Sequence, residues 1–382
     1  MKLIKYCLLA LLLNINFKAD AQLISGVMQF INPVQEKDSN TLSFAYSNLF
    51  YIKDYEYFNS IQTGYTYFGT WQKPELVYQP NKWLRLHAGL LAQRDFGDHK
   101  FSKVRPVYSA QIQQKNFRFI FGTLEGNQSH DLIEPLLSYD KIIERPVEEG
   151  VQFKYNSHRF NADFWLDWEI LQTENSDFPE EFNGGAAFSY TLTKPTSAWQ
   201  VKIPVQFILP HKGGQLDTNS SAVSTVINTA QGLWVEWNNP DKESWLKQFR
   251  TDGYHAGYFH SESASPYPFN KGNGALVNLF LKSKWDISFL ASYWGGSKFI
   301  APRGAKIYES VSSISTLPDY YETSRQLLFL NMIYEKQLAP GLYIDARFSP
   351  YFDLKNKLRE YSFQILLSYR DVFRLFTFKK KQ

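Results

Sequence analysis

The chain has 382 residues, a net charge of +4 from 41 basic and 37 acidic side chains, and 17% aromatic residues. That balance leaves no electrostatic footprint for nucleic acid, and a single cysteine excludes a disulfide framework and a thiolate metal site. A mean hydropathy of −0.36 excludes a bundle of membrane-spanning helices.

The first residues read as a targeting segment. Lys2 and Lys5 precede the apolar run Cys7 to Leu13, which is too short to span a bilayer. Ala19-Asp20-Ala21 has the small-residue form of a cleavage site. Residues 1–21 are therefore expected to be a signal peptide, and residues 22–382 one domain. The only cysteine leaves with the signal peptide, which suits an oxidising exterior. Only about twenty mature residues precede the first strand pattern, so no plug domain is expected.

From Thr41 onward the chain alternates apolar and polar positions. In Phe160 to Ile170, Phe160, Ala162, Phe164, Leu166, Trp168 and Ile170 share one face. Asp163, Trp165, Asp167 and Glu169 share the other. Three acids on one strand face cannot point into lipid. The same period recurs in 84–90, 199–207, 285–293, 342–349 and 360–369.

Six short polar turns run directly into an aromatic residue: Trp83, Phe117, Phe160, Trp199, Trp245 and Trp285. Connections of very unequal length lie between them. Strands that turn back at one interface, with aromatic anchors at headgroup level, make a transmembrane β-barrel. An all-β, antiparallel barrel of about sixteen strands follows, within a range of roughly fourteen to eighteen. Strand centres fall near Tyr46, Phe68, Gly89, Ser109, Ile120, Phe153, Phe164, Phe188, Pro204, Ala230, His255, Leu279, Phe289, Leu330, Ala346 and Ile365. With the first strand leaving the periplasm, the short turns are periplasmic. The long connections around 125–147 and 297–324 are extracellular. A secreted β-sandwich is the rival reading. It gives no reason for turns to alternate short and long. Lys379-Lys380-Lys381 reads as a short solvated tail.

The segment Glu125 to Glu149 is long and acidic, with Glu134, Asp140, Glu144 and Arg145 around the apolar pair Leu136-Leu137. It reads either as a loop folded inward to constrict the lumen or as a cover over the mouth. Lumen parity adds Arg85, His87, Lys154, Asp163, Asp167, Glu169, Lys202, Asp286, Asp345 and Arg347. These charges form either a channel wall or a set of structural pairs. Sixteen strands enclose a space too wide for side chains alone to fill.

No G-x-S-x-G elbow or H-E-x-x-H helix is present. Asp98-His99 and His130-Asp131 place an acid beside an imidazole on loop segments. His255, His260 and Ser261 lie near one strand end, in reach of a serine-lipase arrangement. Neither pattern fixes a base–nucleophile geometry, so the sequence reads as a non-enzyme, with a rim-located hydrolase as a minor alternative.

The signal segment, alternating strands and aromatic belts resemble outer-membrane barrels of Gram-negative bacteria. The Ala21-Gln22 junction and the Tyr/Phe/Asn-rich composition look like proteins of the Bacteroidota. The resemblance is one of porin-like architecture and implies residence in the outer membrane. It implies passage of small polar or charged solutes through a lumen narrowed by 125–149, with no cofactor and no metal. The chain departs from many such barrels by continuing past Phe378 into Lys-Lys-Lys-Gln. Expected partners are outer-membrane lipid and lipopolysaccharide, with a small polar solute. The alternative is a non-conducting barrel that joins partner subunits of an outer-membrane complex or binds surface polysaccharide through Tyr267 and Tyr320-Tyr321.

Overall fold

A computed structural model describes residues 26–28, 30, 34–214, 223–262 and 265–378. The expected signal peptide and the lysine tail lie outside the described residues. The strands are β1 (Thr41–Glu56), β2 (Thr66–Gln79), β3 (Leu84–Asp95), β4 (Lys103–Gln114), β5 (Phe117–Thr123), β6 (Glu149–Asn156), β7 (Phe160–Ile170) and β8 (Glu181–Thr191). They continue as β9 (Trp199–Lys212), β10 (Ser224–Asn238), β11 (Leu246–His260), β12 (Lys271–Ser283), β13 (Ile287–Ser297), β14 (Ser324–Ala339), β15 (Leu342–Asp353) and β16 (Leu358–Thr377). Each pairs antiparallel with its neighbours, and β1 pairs with β16, so the sheet closes without a free edge along its middle. Every strand centre read from the sequence falls inside one of these strands.

Alternation sets the register. On β7, Asp163, Trp165 and Asp167 are buried within the barrel while Phe164 is exposed on the outside. A shift of one residue would exchange these two sets, placing Asp163, Asp167 and, on the same face, Glu169 in lipid. The six polar turns all lie at one end, and their aromatics Trp83, Phe117, Phe160, Trp199, Trp245 and Trp285 are exposed there as a belt. A seventh hairpin, through Pro340-Gly341, lacks the aromatic and escapes the sequence pattern. Gly341 has φ +76°, a conformation that favours glycine.

The barrel is filled by its own connections. Residues 124–148 and 298–323 fold inward from the loop end, burying Leu132, Ile133, Leu136, Phe299, Ile300 and Tyr308 against lumen residues of the wall. The two insertions hydrogen-bond to each other. The Ser138 amide donates to the Arg303 carbonyl at 2.8 Å, and that of Ala305 to Glu134 at 3.1 Å.

The stretch before β1 also contributes a few residues to this filling. Val27 and Met28 are buried in the lumen. Phe30 packs edge-on to Trp71 at 4.7 Å, and the Ser368 hydroxyl donates to the Val27 carbonyl at 3.1 Å. Short apolar runs in the two long connections thus form much of the core, as the inward-folded reading of 125–149 requires. They supply the apolar burial that a wide barrel cannot obtain from its wall alone. A cavity of about 170 Å³ remains beneath the insertions, lined by Lys53, Tyr55, Glu134, Arg250, Asn331 and Arg347 among others. Its polar lining and size suit ordered water.

Candidate functional site

The charges singled out by lumen parity do face inward, and the structure gives them partners. Arg85 reaches Asp38 at 3.0 Å and His87 lies 3.5 Å from Glu75. Lys154 pairs with Glu125 at 3.0 Å, and Arg347 with Asp345 at 2.9 Å. Lys202 sits over the Trp234 ring at 4.3 Å. Asp167 accepts from Arg145, and Glu169 from Arg303 at 2.7 Å. Within the inserted loop, Asp140 takes Lys53 at 2.6 Å and the Tyr55 hydroxyl. Glu134 accepts from Tyr308 at 3.1 Å and Glu144 from Tyr67 at 2.6 Å. Asp286 is the exception and is corrected. It sits in the turn before β13 with φ +61°, half-exposed, 3.4 Å from Lys336, and does not line the lumen. Its alternation with Ile287 extends one residue past the strand.

Two wall-to-loop locks stand out. His130 does not engage its neighbour Asp131. It places Nε2 2.8 Å from Glu148 and Nδ1 3.0 Å from Asp163, with its ring stacked on Trp165 at 3.7 Å. Burial disfavours the charged ring, but Glu148 and Asp163 outweigh it and push the pKa up to about 9. Both nitrogens then donate, so the group is an imidazolium clamp. Arg303 forms the second lock, bidentate to Glu169 and in reach of Glu181 at 3.4 Å. Neither lock includes a nucleophile. Both hold the insertions in place.

A different arrangement occurs at the loop end of β9–β11. Ser224 opens β10 and His260 closes β11, both on the inward face. The Ser224 hydroxyl lies 3.1 Å from His260 Nε2. His260 Nδ1 lies 3.2 Å from the Glu262 carbonyl, which fixes the proton on Nδ1 and leaves Nε2 as the acceptor. The Glu262 carboxylate is 3.5 Å from Nε2. Its slight burial raises its pKa, but hydrogen bonds from the Thr225 hydroxyl, the Thr225 amide and Ser261 hold it down at about 2. Hydroxyl, base, orienting acceptor and nearby negative charge therefore converge in the relationship nucleophilic catalysis requires.

On the opposite, outward face of the same strand end, Thr225 Oγ1 is 2.9 Å from His211 Nδ1. His211 Nε2 donates to the Gly213 carbonyl at 2.6 Å. The sequence singled out His260 but paired it with Ser261. The hydroxyl that meets it lies 36 residues away, across the β10–β11 hairpin. Only the register of that hairpin, Val226 opposite His260, brings them together. Asp98-His99 remains on a separate loop.

Residues 34–378 match the family described as lipid A 3'-O-deacylase-type. The chain belongs to this family. The expectation of a barrel without catalysis is thereby corrected, because the family is named for an enzyme activity. The sequence carried no linear motif that would have revealed it. Among curated proteins none matches the sequence.

Among solved structures, a loop-deletion mutant of OmpT, an outer-membrane protein of Vibrio cholerae, is similar with TM-score 0.52 and 12% identity. The match covers 87% of this chain and 99% of that one. OprD of Pseudomonas aeruginosa gives TM-score 0.48 and 9% identity over 92% and 98%. Likeness at such identity concerns the fold alone. The protein is an outer-membrane β-barrel of this family.

Proposed function

We propose that the protein hydrolyses an acyl ester of a lipid of the lipid A class, at the loop-end rim of β9–β11. The observation that carries the reading is the 3.1 Å approach of the Ser224 hydroxyl to His260 Nε2, with the other ring nitrogen tied to Glu262. Ser224 Oγ attacks the ester carbonyl carbon as His260 takes its proton. The sugar hydroxyl leaves with that proton, and an acyl-serine remains. Water, deprotonated by His260, then releases the fatty acid and restores the serine. The nearby Glu262 carboxylate stabilises the imidazolium that forms in each half-reaction. The rim lies at headgroup level, where the ester-bearing sugars of an outer-leaflet lipid are found.

The test is mass spectrometry of lipid A incubated in mixed micelles with the refolded chain. Loss of one acyl chain is expected from the wild type and from Thr225→Val. It should fall by at least a thousandfold in Ser224→Ala and His260→Asn. Full activity in Ser224→Ala, with loss in Thr225→Val, would move the chemistry to the outward pair.

A second reading, selective solute passage, has one observation in its favour: the polar cavity beneath the insertions. It requires the 124–148 insertion to leave the lumen.

A further inference from the structure

The wall of the barrel is low on one side. β5 has seven residues and β6 eight, against twelve in β4 and eleven in β7. At about 3.3 Å per residue and a tilt near 40°, β5 and β6 climb roughly 15–18 Å along the membrane normal from the turn end. β4 and β7 climb roughly 25–28 Å, which reaches the outer edge of an apolar band about 25 Å tall. The two short strands therefore stop about 7–10 Å below that edge.

Strand pairing shows the same notch. β5 pairs with β4 only over Ser109–Gln114, and β6 with β7 only from Gly150 to Asn156. Residues 103–108 of β4 thus form a strand edge in the loop-side half of the wall. Pro106 stands within it, and a proline, with no N–H to give, is at home on an edge. Upper β4 and upper β7 are three strand spacings apart, or about 14 Å.

The inserted chain backs the notch. Val147 belongs to the buried cluster that holds Leu91 and Val107 of the β3–β4 wall. Between residues 144–147 and the β4 edge lies a cleft of about 470 Å³, lined by Leu91, Lys103, Val104, Arg105, Pro146 and Val147 among others. Leu91 is buried on the lumen side, whereas Val104 is exposed on the lipid side. The cleft therefore opens toward the bilayer.

Its mouth is cationic. Lys103 donates to the Glu144 backbone carbonyl and pairs with no carboxylate among the described residues. Arg105 holds Glu149 loosely, at 3.4 Å, with both side chains more than a third exposed. The other charges are taken, Glu144 by Tyr67 and Lys141, and Arg145 by Asp167. Lys103 is the charge left over once these pairs are made. It begins β4 at the outer edge of the apolar band, and Arg105 lies about 5 Å lower along the normal, a distance its stem can cover. That is the level of lipid phosphates.

We propose that this notch is the docking site of a phosphorylated acyl lipid of the loop-side leaflet. The phosphate rests on Lys103 and Arg105, and one acyl chain enters the cleft beside Val104 and lies against Pro146 and Val147. A soluble anion would have no use for the apolar walls, and a partner protein none for an opening at this depth. The site makes and breaks no bond. It rests on the barrel fold and not on the deacylase reading, and the β10–β11 rim lies three strands beyond β7.

The experiment is native mass spectrometry of the refolded full chain released from detergent, with dioleoylphosphatidylglycerol and dioleoylphosphatidylcholine as probes. The wild type should retain the anionic lipid about tenfold more than the zwitterionic one, as a charge-assisted hydrogen bond requires. Lys103→Gln should abolish that preference and Lys103→Arg should keep it, in protein shown to be folded by heat-modifiable gel migration. Phosphatidylglycerol with a diazirine in one acyl chain, photolysed on the wild type, should label peptides from residues 84–108 or 141–149. Equal retention of the two lipids by the wild type, or labelling confined to other strands, would overturn the proposal. So would displacement of phosphatidylglycerol by an equal concentration of glycerol 3-phosphate, since a soluble anion would then be the occupant.

Discussion

Replacing His130 by alanine tests whether the 124–148 insertion is held by an imidazolium clamp. The ring is fully buried and touches two carboxylates at 2.8 and 3.0 Å. Without it, Glu148 and Asp163 face each other across a void. Asp163 keeps Lys154 at 3.4 Å and two contacts from Gln152, so the local structure is not stripped of all compensation. Removing one partner of a buried charge set costs about 3–5 kcal/mol. The lower end is appropriate because Lys154 remains, which gives about 3 kcal/mol. At 1.36 kcal/mol per decade that is an increase of more than a hundredfold in the open population of the insertion. Hydrogen–deuterium exchange read by mass spectrometry measures it directly. The amides of Leu136 and Leu137, bonded to the Ile133 carbonyl, should exchange about a hundredfold faster in His130→Ala, while those of β9–β13 stay unchanged. A change below threefold in residues 127–147, with the barrel intact by heat-modifiable gel migration, would refute the clamp.

Four further outcomes follow from the same contacts. Because the His130 pKa lies above its ordinary value of 6.5, the clamp contributes fully below about pH 6.5. Its contribution is lost as pH rises through about 9. Exchange of residues 127–147, corrected for intrinsic rate, should accelerate over that window in the wild type and not in His130→Ala. Arg303→Ala should loosen both insertions, exposing Ser138 and Ala305 amides to exchange by about tenfold or more, since a charge-assisted bidentate contact is lost. Gly185→Val should destabilise the barrel by about 1–3 kcal/mol in a urea titration, because a Cβ there would come 2.1 Å from the Trp165 ring. In planar bilayers the intact chain should give no steady conductance, and deletion of residues 125–147 should produce it. A conducting wild type would instead favour the solute-passage reading.

The wall of the barrel was legible in the sequence because each strand faces two solvents. Lipid and lumen impose a period of two, and the polar-to-aromatic turns mark every second end. The contents were less legible. Leu136-Leu137 read as an apolar pair in an acidic loop, and nothing singles out Leu132-Ile133. Phe299-Ile300-Ala301 carries no period at all. Nothing in a local window says that such runs enter the barrel and meet there. Trp165 and Trp294 lie over Gly185 and Gly274, a match made by strand pairing and not by spacing along the chain. The rim site was hidden for the same reason. Ser224 and His260 come together through the β10–β11 register, whereas the adjacent Ser261 lies past the strand end and bonds Thr225 and Glu262 instead. Asp286 misled because the two-residue period of β13 runs back one residue into the tight turn before the strand begins.

The most direct test of the proposed chemistry is intact-protein and peptide mass spectrometry after treatment with a long-chain alkyl fluorophosphonate. This reagent phosphonylates only a hydroxyl activated by a base. A single adduct on Ser224, absent in His260→Asn, is the result the geometry predicts. An unmodified Ser224 in protein that removes acyl chains from lipid A, or an adduct on Thr225 instead, would contradict it.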